Sequence, residues 1–456
     1  MNVASRASRG SLPALLHPFT SWSTQTEESP RTLVSGRGVW VKGGFGRELL
    51  DGFAGLWCVN LGYGREELIE AATAQLRRLP YATTFFNFAS EPALELADRL
   101  AEAAPAGLRH ILFTGGGSEA VDSALKLIRQ YFMLLGQSQR RHFISLQRSY
   151  HGVSFFEASL TGIPACHRFF DSPSELNHHL PSPYPYRSSY GSNDAQIIHE
   201  SVRALENTIA QLGARNVAAF FCEPVQGSGG IIVPPRGWLG AMREACRQHD
   251  VLFVADEVIT CFCRTGRIFG CDWEAVQPDL MTVAKGLTSG YIPLGAVLLH
   301  ERIAEVLATA APNERTLSHG YTYTGHPVAA AVANAALDIY IREQLATIAE
   351  SSGQRLMQQL APLRELPQVG DVRGHGLLAA IELVRDRHTR EPFPPQTQLS
   401  ERVRAHAYAS GLIVRAFAED IIGLAPALIA TAAEIDEMVG RLRSAIERAC
   451  EEVQQS

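Results

Sequence analysis

Lysine is nearly missing from this chain. Of 41 basic residues in 456, only Lys42, Lys126 and Lys285 are lysines, and the rest are arginine. Arginine does not give up its proton near neutral pH, so amine chemistry by a side chain has three candidates. Other absences narrow the function. A net charge of −6 leaves no basic footprint for nucleic acid. No run of about 18 apolar residues occurs, so neither a transmembrane helix nor a membrane partner is expected. The apolar run 12–16 behind Arg6 and Arg9 is too short for a signal peptide. The eight cysteines form no C-x-x-C pair and no disulfide framework, and read as reduced thiols of a cytoplasmic protein. Cys261 and Cys263 lack further ligands and no H-E-x-x-H occurs, so no metal site is expected. There is no internal repeat.

What is present is the composition of an ordinary globular protein, 46% apolar and 19% charged, and long enough for two or three structural units. The first 40 or so residues, rich in Ser, Thr, Gly and Arg, read as an irregular arm. Residues 51–63 read as a packed turn region and 66–79 as a helix. From about 110 to 300, apolar runs alternate with amphipathic stretches. The runs are 142–146 (HFISL), 217–225 (VAAFFCEPV), 251–258 (VLFVADEV), 280–284 (LMTVA) and 295–299 (GAVLL). Strands apolar on both faces and spaced by helices predict an α/β fold with a mostly parallel sheet, whose ligands sit at the strands' carboxyl ends. Residues 165–198, rich in Pro, Ser, Tyr and His, read as a long surface loop. A helix is expected from 325 to about 345, then α+β structure. The last helix should start near 432, where Thr431 and Glu434 carry a capping-box signature.

The loop Thr114-Gly115-Gly116-Gly117-Ser118-Glu119 precedes a helix expected at 120. Its glycines let backbone approach a ligand, its N–H groups favour an anion, and Ser118 adds a donor. It is a phosphate cup or a tight turn. No Lys-Ser/Thr follows, which excludes a Walker A loop, and Ala120 breaks a nucleophile elbow. Lys126 shares a polar stripe with Asp122 and Gln130 and reads as solvated, while Lys42 lies in a turn-like Val-Lys-Gly-Gly. Lys285 ends an apolar run. It is either an imine-forming amine or a snorkelling side chain. Asp256 ends another buried run, as a helix cap or as a carboxylate that keeps a ring nitrogen protonated. Adjacent strands lie about 4.8 Å apart, so a flat ring could bridge the two groups. Glu257 points away from that edge. Tyr150, before His151 and Gly152, stacks on a planar ligand or packs the core. Glu223 reaches the same edge. The hydroxyls of Tyr321-Thr322-Tyr323-Thr324 bind a second phosphate oxygen or cap the helix that follows.

Taken in order, these landmarks resemble the class III (omega) aminotransferases, pyridoxal 5′-phosphate enzymes of fold type I, over residues ~50 to ~430. VLFVADEVITCFCRTG and PDLMTVAKGLTSGYIPLGAV are the most specific stretches, and Lys285 follows Asp256 by 29 residues, a spacing that fits. The resemblance implies a large cofactor-binding domain (66–330) with a seven-stranded, mostly parallel sheet flanked by helices. A smaller α+β domain would come from both termini (1–65, including the arm, and 331–456). It implies that Lys285 links covalently to the cofactor and carries protons, and that Asp256 pairs with the pyridinium nitrogen. Val258 and Tyr150 would hold the two ring faces, with His151 beside them. Gly116, Gly117 and Ser118 would hold the phosphate, and Glu223 would lie near the ring hydroxyl. Thr322 would reach the phosphate of the neighbouring subunit in a homodimer with shared sites.

DGFAGLWCVNLGYG, PYATTFF, SHGYTYTGHPVAAAVA and GLIVRAFAEDIIGLAPALI are similar to the pyruvate-linked omega-transaminases. That likeness implies Trp57, Phe86 and Tyr150 as substrate-pocket residues. Arg415 would pair with a substrate carboxylate, although composition alone makes it a surface arginine. The implied activity moves an amino group from a primary amine or amino acid to a small 2-oxo acid, pyruvate. Rival readings are a decarboxylase or aminomutase on the same scaffold, or a cofactor binder without catalysis. The chain departs from the family at three places. Gly115-Gly116-Gly117-Ser118 replaces Asn-Ser-Gly-Ser and loses two side-chain donors. Cys261-Phe262-Cys263-Arg264-Thr265-Gly266 replaces Gly-Phe-Gly-Arg-Thr-Gly. Ile259 stands where ornithine- and GABA-type members carry glutamine, which argues against a 2-oxoglutarate enzyme of that kind.

Overall fold

A computed structural model of the chain describes residues 14–21, 31–173, 175–191, 193–309 and 317–455. Most of the expected arm, 1–13 and 22–30, lies outside the described residues, Arg6 and Arg9 included. The strands in chain order are β1 (Leu33–Arg37), β2 (Trp40–Gly43), β3 (Glu48–Asp51), β4 (Leu108–Thr114), β5 (His142–Leu146), β6 (Asn177–Leu180), β7 (Val217–Cys222) and β8 (Leu252–Asp256). They continue with β9 (Leu280–Val283), β10 (Gly295–His300), β11 (Val369–His375), β12 (Leu378–Leu383), β13 (Leu412–Ile413), β14 (Arg415–Phe417) and β15 (Ile421–Leu424).

The central sheet is seven-stranded, in the order β4-β10-β9-β8-β7-β5-β6. Only β10 runs against its neighbours. Its middle strands are buried at every position, as their unbroken apolar runs require. Side chains alternate between two faces. Phe221, Val254, Leu280 and Val297 pack in one cluster with the helix Gly117–Leu134. Phe220, Phe253, Met281 and Leu298 pack in the other with Trp238 and Met242 of the helix Trp238–Gln248. Helices on both faces leave the carboxyl ends of β7, β8 and β9 as the open edge. Two smaller sheets flank this body, β1-β2-β3-β13 and β11-β12-β15-β14. β13 pairs with β3, so both ends of the chain build one sheet. The final helix is Ala432–Gln454, and the Thr431/Glu434 capping box is formed, with Thr431 N donating to Glu434 Oε2 at 2.8 Å.

Four expectations need correction. Residues 33–43 are not irregular but form β1 and β2, with Lys42 exposed on β2 rather than in a turn. The surface loop expected over 165–198 contains β6 and the start of the helix Asp194–Leu212, capped by Asn193. β4 was hidden by its polar start, and β6 (NHHL) carries one apolar residue; both are sheet edges, where polar side chains are normal. The helix after the glycine loop starts at Gly117, not at 120. Among the described residues, no helix is long and apolar enough to cross a membrane.

Candidate active site

Asp256 closes β8 and is 3% exposed. The register of β8 with β9 sets Asp256 opposite Thr282. Its Oδ1 accepts from Thr282 Oγ1 at 3.0 Å and from Val258 N at 3.1 Å, and its Oδ2 accepts from His151 Nδ1 at 2.8 Å. His151 itself is fixed by its backbone N–H on Thr161 Oγ1. Its Nε2 is buried and finds no partner among the described residues. Lys285 follows β9 after one residue, Ala284, and is half-buried, with a left-handed φ of 47°. Glu257 points the other way, as expected, and accepts from Gly270 N and Cys271 N at 2.8 and 2.7 Å.

Glu223, just past β7, accepts from Tyr150 N and Gly227 N, both at 2.9 Å. Burial pushes its carboxyl up to about 7, with the Asp256 charge adding to the rise and the two backbone donors opposing it. Burial raises the Tyr150 phenol to about 12. In the glycine loop, Gly115 N is held by Glu119 Oε2 at 2.6 Å, and Thr114 Oγ1 donates to Gly116 O at 3.0 Å. Gly117 leaves little room for a side chain, because a Cβ there would sit 3.0 Å from a methyl of Val258, which would have to give way. Gly116 is extended and faces open space within 4 Å.

These groups line one cavity of about 360 Å³. Gly116, Gly117, Ser118, Tyr150, His151, Glu223, Asp256, Val258 and Lys285 all contribute to it. One amine, two carboxyl groups (Glu223 and Asp256) and a helix-start anion cup around such a space suit a planar ligand that carries a phosphate. The remaining predicted residues stand apart from it. Trp57 is buried against Phe53 and Phe417, at ring distances of 4.5 and 6.2 Å, and the Arg415 guanidinium lies 5.8 Å from the Phe417 ring. Ile259 belongs to that aromatic cluster and also lines the cavity, so the two regions are continuous. Phe86 is 87% exposed and Thr322 is exposed, its carbonyl bonded by Tyr81. Lys126 is exposed and bonded to His319 Nδ1 at 2.8 Å. Thr282, Cys58 and Thr288 were missed. Thr282 had a signal, since a threonine inside a buried strand needs a hydrogen-bond partner. Cys58 had none.

The fold is that of the class-III aminotransferases. The family model for class-III aminotransferases matches residues 22–446, and the chain belongs to that family. It is 40% identical over 434 residues to a putrescine–pyruvate aminotransferase of Pseudomonas aeruginosa, covering 95% of this chain and 94% of that protein. It superposes with a TM-score of 0.93 on a thermostable (S)-enantioselective omega-transaminase from Thermomicrobium roseum, at 44% identity and 98% coverage of each chain. It is also similar to the omega-transaminase of Pseudomonas jessenii in complex with PMP, with a TM-score of 0.94, 36% identity, and 96% and 97% coverage.

Proposed function

We propose that the chain binds pyridoxal 5′-phosphate and transfers an amino group from a primary amine or amino acid to pyruvate. The observation that carries this reading is the meeting of Lys285, Asp256 and the glycine cup at one cavity. The residues fit the cofactor. Ser118 and the N–H groups at the start of the helix Gly117–Leu134 take the phosphate. Asp256, anchored by three donors, stays available to a ring N–H. Val258 and Tyr150 border the ring, and Glu223 stands behind it. When bound, the cofactor supplies an electron-withdrawing ring that accepts the electron pair left when a substrate carbon loses its proton. Lys285 Nζ would take up that proton and hold it for return in the 1,3-transfer that transamination needs. Neither of the other two lysines lines the cavity. Trp57 and Phe86 shape the donor side, and Arg415 pairs bidentately with an acceptor carboxylate.

The relative that uses pyruvate supports the acceptor. A second copy of the chain completes the site: Thr322 serves the partner's phosphate, and the exposed Phe85, Phe86, Phe88 and Tyr323 form the face that meets it. The chain works in the cytoplasm. The test is a half-reaction screen. Amines are added singly to cofactor-loaded protein while the cofactor absorbance is followed, and pyruvate or 2-oxoglutarate is then added to restore it. Conversion by an amine and recovery with pyruvate, both lost in Lys285→Ala, are expected. Turnover retained in Lys285→Ala, carbon dioxide release, or rearrangement without an acceptor would overturn the proposal.

A further inference from the structure

Glu157 is a buried carboxyl for which the proposed chemistry has no use. It lies in the helical turn Glu157–Ser159 with 0% exposure. Its Oε1 accepts from Ser154 N at 3.1 Å, while its Oε2 is buried and finds no partner among the described residues. The Ser118 hydroxyl, the side-chain donor left in a cup otherwise made of glycine, lies beside this same carboxyl and favours its charged form. The two groups meet over Gly152, where a Cβ would lie 2.1 Å from Glu157 Oε1 and 2.9 Å from Ser118 Oγ. Any side chain at Gly152 would drive them apart.

Burial raises this carboxyl to about 7, with Asp122 on the helix Gly117–Leu134 adding to the rise and the Ser154 N–H and the Ser118 hydroxyl opposing it. The phenols of Tyr150 and Tyr321 also face it. Each of these neighbours is neutral or negative, so a dianion arriving at the cup disfavours a second negative charge beside it.

The geometry points to Glu157 as a positioning residue that acts through Ser118 and makes occupation of the phosphate cup depend on one proton. As a carboxylate, Glu157 accepts a hydrogen bond from the Ser118 hydroxyl, turning it away from the cup, and repels the phosphate. As a carboxylic acid, it donates to Ser118 Oγ and frees that hydroxyl's proton for a phosphate oxygen. Binding of the dianion therefore takes up one proton from solvent, and no covalent bond changes. This inference rests on the pyridoxal-phosphate reading and gives its cup a regulator.

Pyridoxamine 5′-phosphate is the probe, because it carries the phosphate but no aldehyde for Lys285. Its Kd for the full chain is measured at pH 7 and pH 8.5, for wild type and Glu157→Gln. The phosphate's second pKa near 6 is already passed in this range. Wild-type affinity is expected to fall about tenfold more than that of Glu157→Gln, whose amide stays a donor throughout. Pyridoxamine, lacking the phosphate, should show no such difference. Calorimetry at pH 8 in two buffers of different ionisation enthalpy should show wild-type proton uptake above that seen with pyridoxamine. This measurement decides the matter alone should Glu157→Gln not fold. Parallel pH slopes, or equal uptake for the two ligands, would overturn the inference and leave the cofactor reading standing. Failure of wild type to bind pyridoxamine phosphate at either pH would overturn both.

Discussion

Asp256→Asn changes one atom, and its consequence can be followed bond by bond. Both carboxylate oxygens of Asp256 are acceptors: Oδ1 takes Val258 N–H and the Thr282 hydroxyl, and Oδ2 takes His151 Nδ1–H. The Val258 amide can only donate, so the asparagine oxygen has to occupy the Oδ1 place and its NH₂ the Oδ2 place. That NH₂ faces His151 Nδ1, which must become an acceptor and pass its proton to Nε2. The His151 side chain is 0% exposed and Nε2 has no partner, so the swap buries an orphan N–H. Loss of the charge-assisted bond forfeits about 1.5–3 kcal/mol, and the orphan donor carries a penalty of about 1–3 kcal/mol. An unpartnered Nε2 already exists in the parent, so the expected net loss is about 2–3 kcal/mol. Urea unfolding reads the stability, and nitrogen chemical shifts of labelled histidine read the tautomer. Activity should fall roughly 10²- to 10³-fold, the scale for removing one preorganised electrostatic group. A variant that keeps His151 protonated at Nδ1 and unfolds at the parental urea midpoint would refute the argument.

Gly117→Ala places a methyl 3.0 Å from Val258 and should cost about 1–3 kcal/mol, seen as a lower Tm. Gly116→Ser meets open space and should leave Tm in place while tightening pyridoxamine phosphate binding, because it restores a hydroxyl donor to the cup; weaker binding would count against the cup. Arg415→Ala should raise KM roughly tenfold for carboxylate-bearing substrates, the worth of a charged hydrogen bond, and leave KM for an uncharged amine unchanged. Glu157 and Glu223 both titrate near 7 when folded, against an ordinary 4.5. The folded chain therefore holds protons that the unfolded chain has released, and this pair's contribution to stability falls as pH climbs from about 4.5 to about 7. Urea midpoints at pH 5 and 7.5 should show the fall, with a smaller one in Glu157→Gln. A fall of equal size in the variant would remove Glu157 from the account.

The sheet could be read from sequence where burial on both faces gives an apolar run, unbroken in β7 and interrupted only by the terminal Asp256 in β8, and could not where a strand lies at an edge, as in β4 and β6. Asp256 and Lys285 were legible for the same reason, each being a charged residue that ends a run too apolar to leave it unpartnered. Glu157 was not legible. Its neighbours Phe155, Phe156 and Ala158 do not reveal that the chain folds back onto Ser118, because that contact is tertiary. Phe86, and the part of Thr322 in a second subunit's site, took meaning only from resemblance, since on one chain both are simply exposed.

The turn after β8 shows how a sequence departure becomes a physical requirement. Phe262 and Cys263 have φ of 52° and 70°, the left-handed region in which a side chain costs about 1–2 kcal/mol. Both residues are buried, and the Phe262 ring stacks on Tyr340 at 5.9 Å, so packing offsets the strain. The turn is then tied to the segment that carries the amine. Asn60 Nδ2 donates to Phe262 O at 2.9 Å, and the buried Arg264 donates to Asn60 Oδ1 at 2.6 Å. Cys261 Sγ lies 3.7 Å from Ala284 O, the residue before Lys285. Lys285 is itself left-handed, so two strained backbone segments brace each other where the amine enters the cavity. A glycine turn would give the same path with fewer contacts. Cys261 therefore acts as packing against the segment that carries Lys285, Cys263 helps fill the buried turn, and their burial, which raises both thiols, keeps them from competing as nucleophiles.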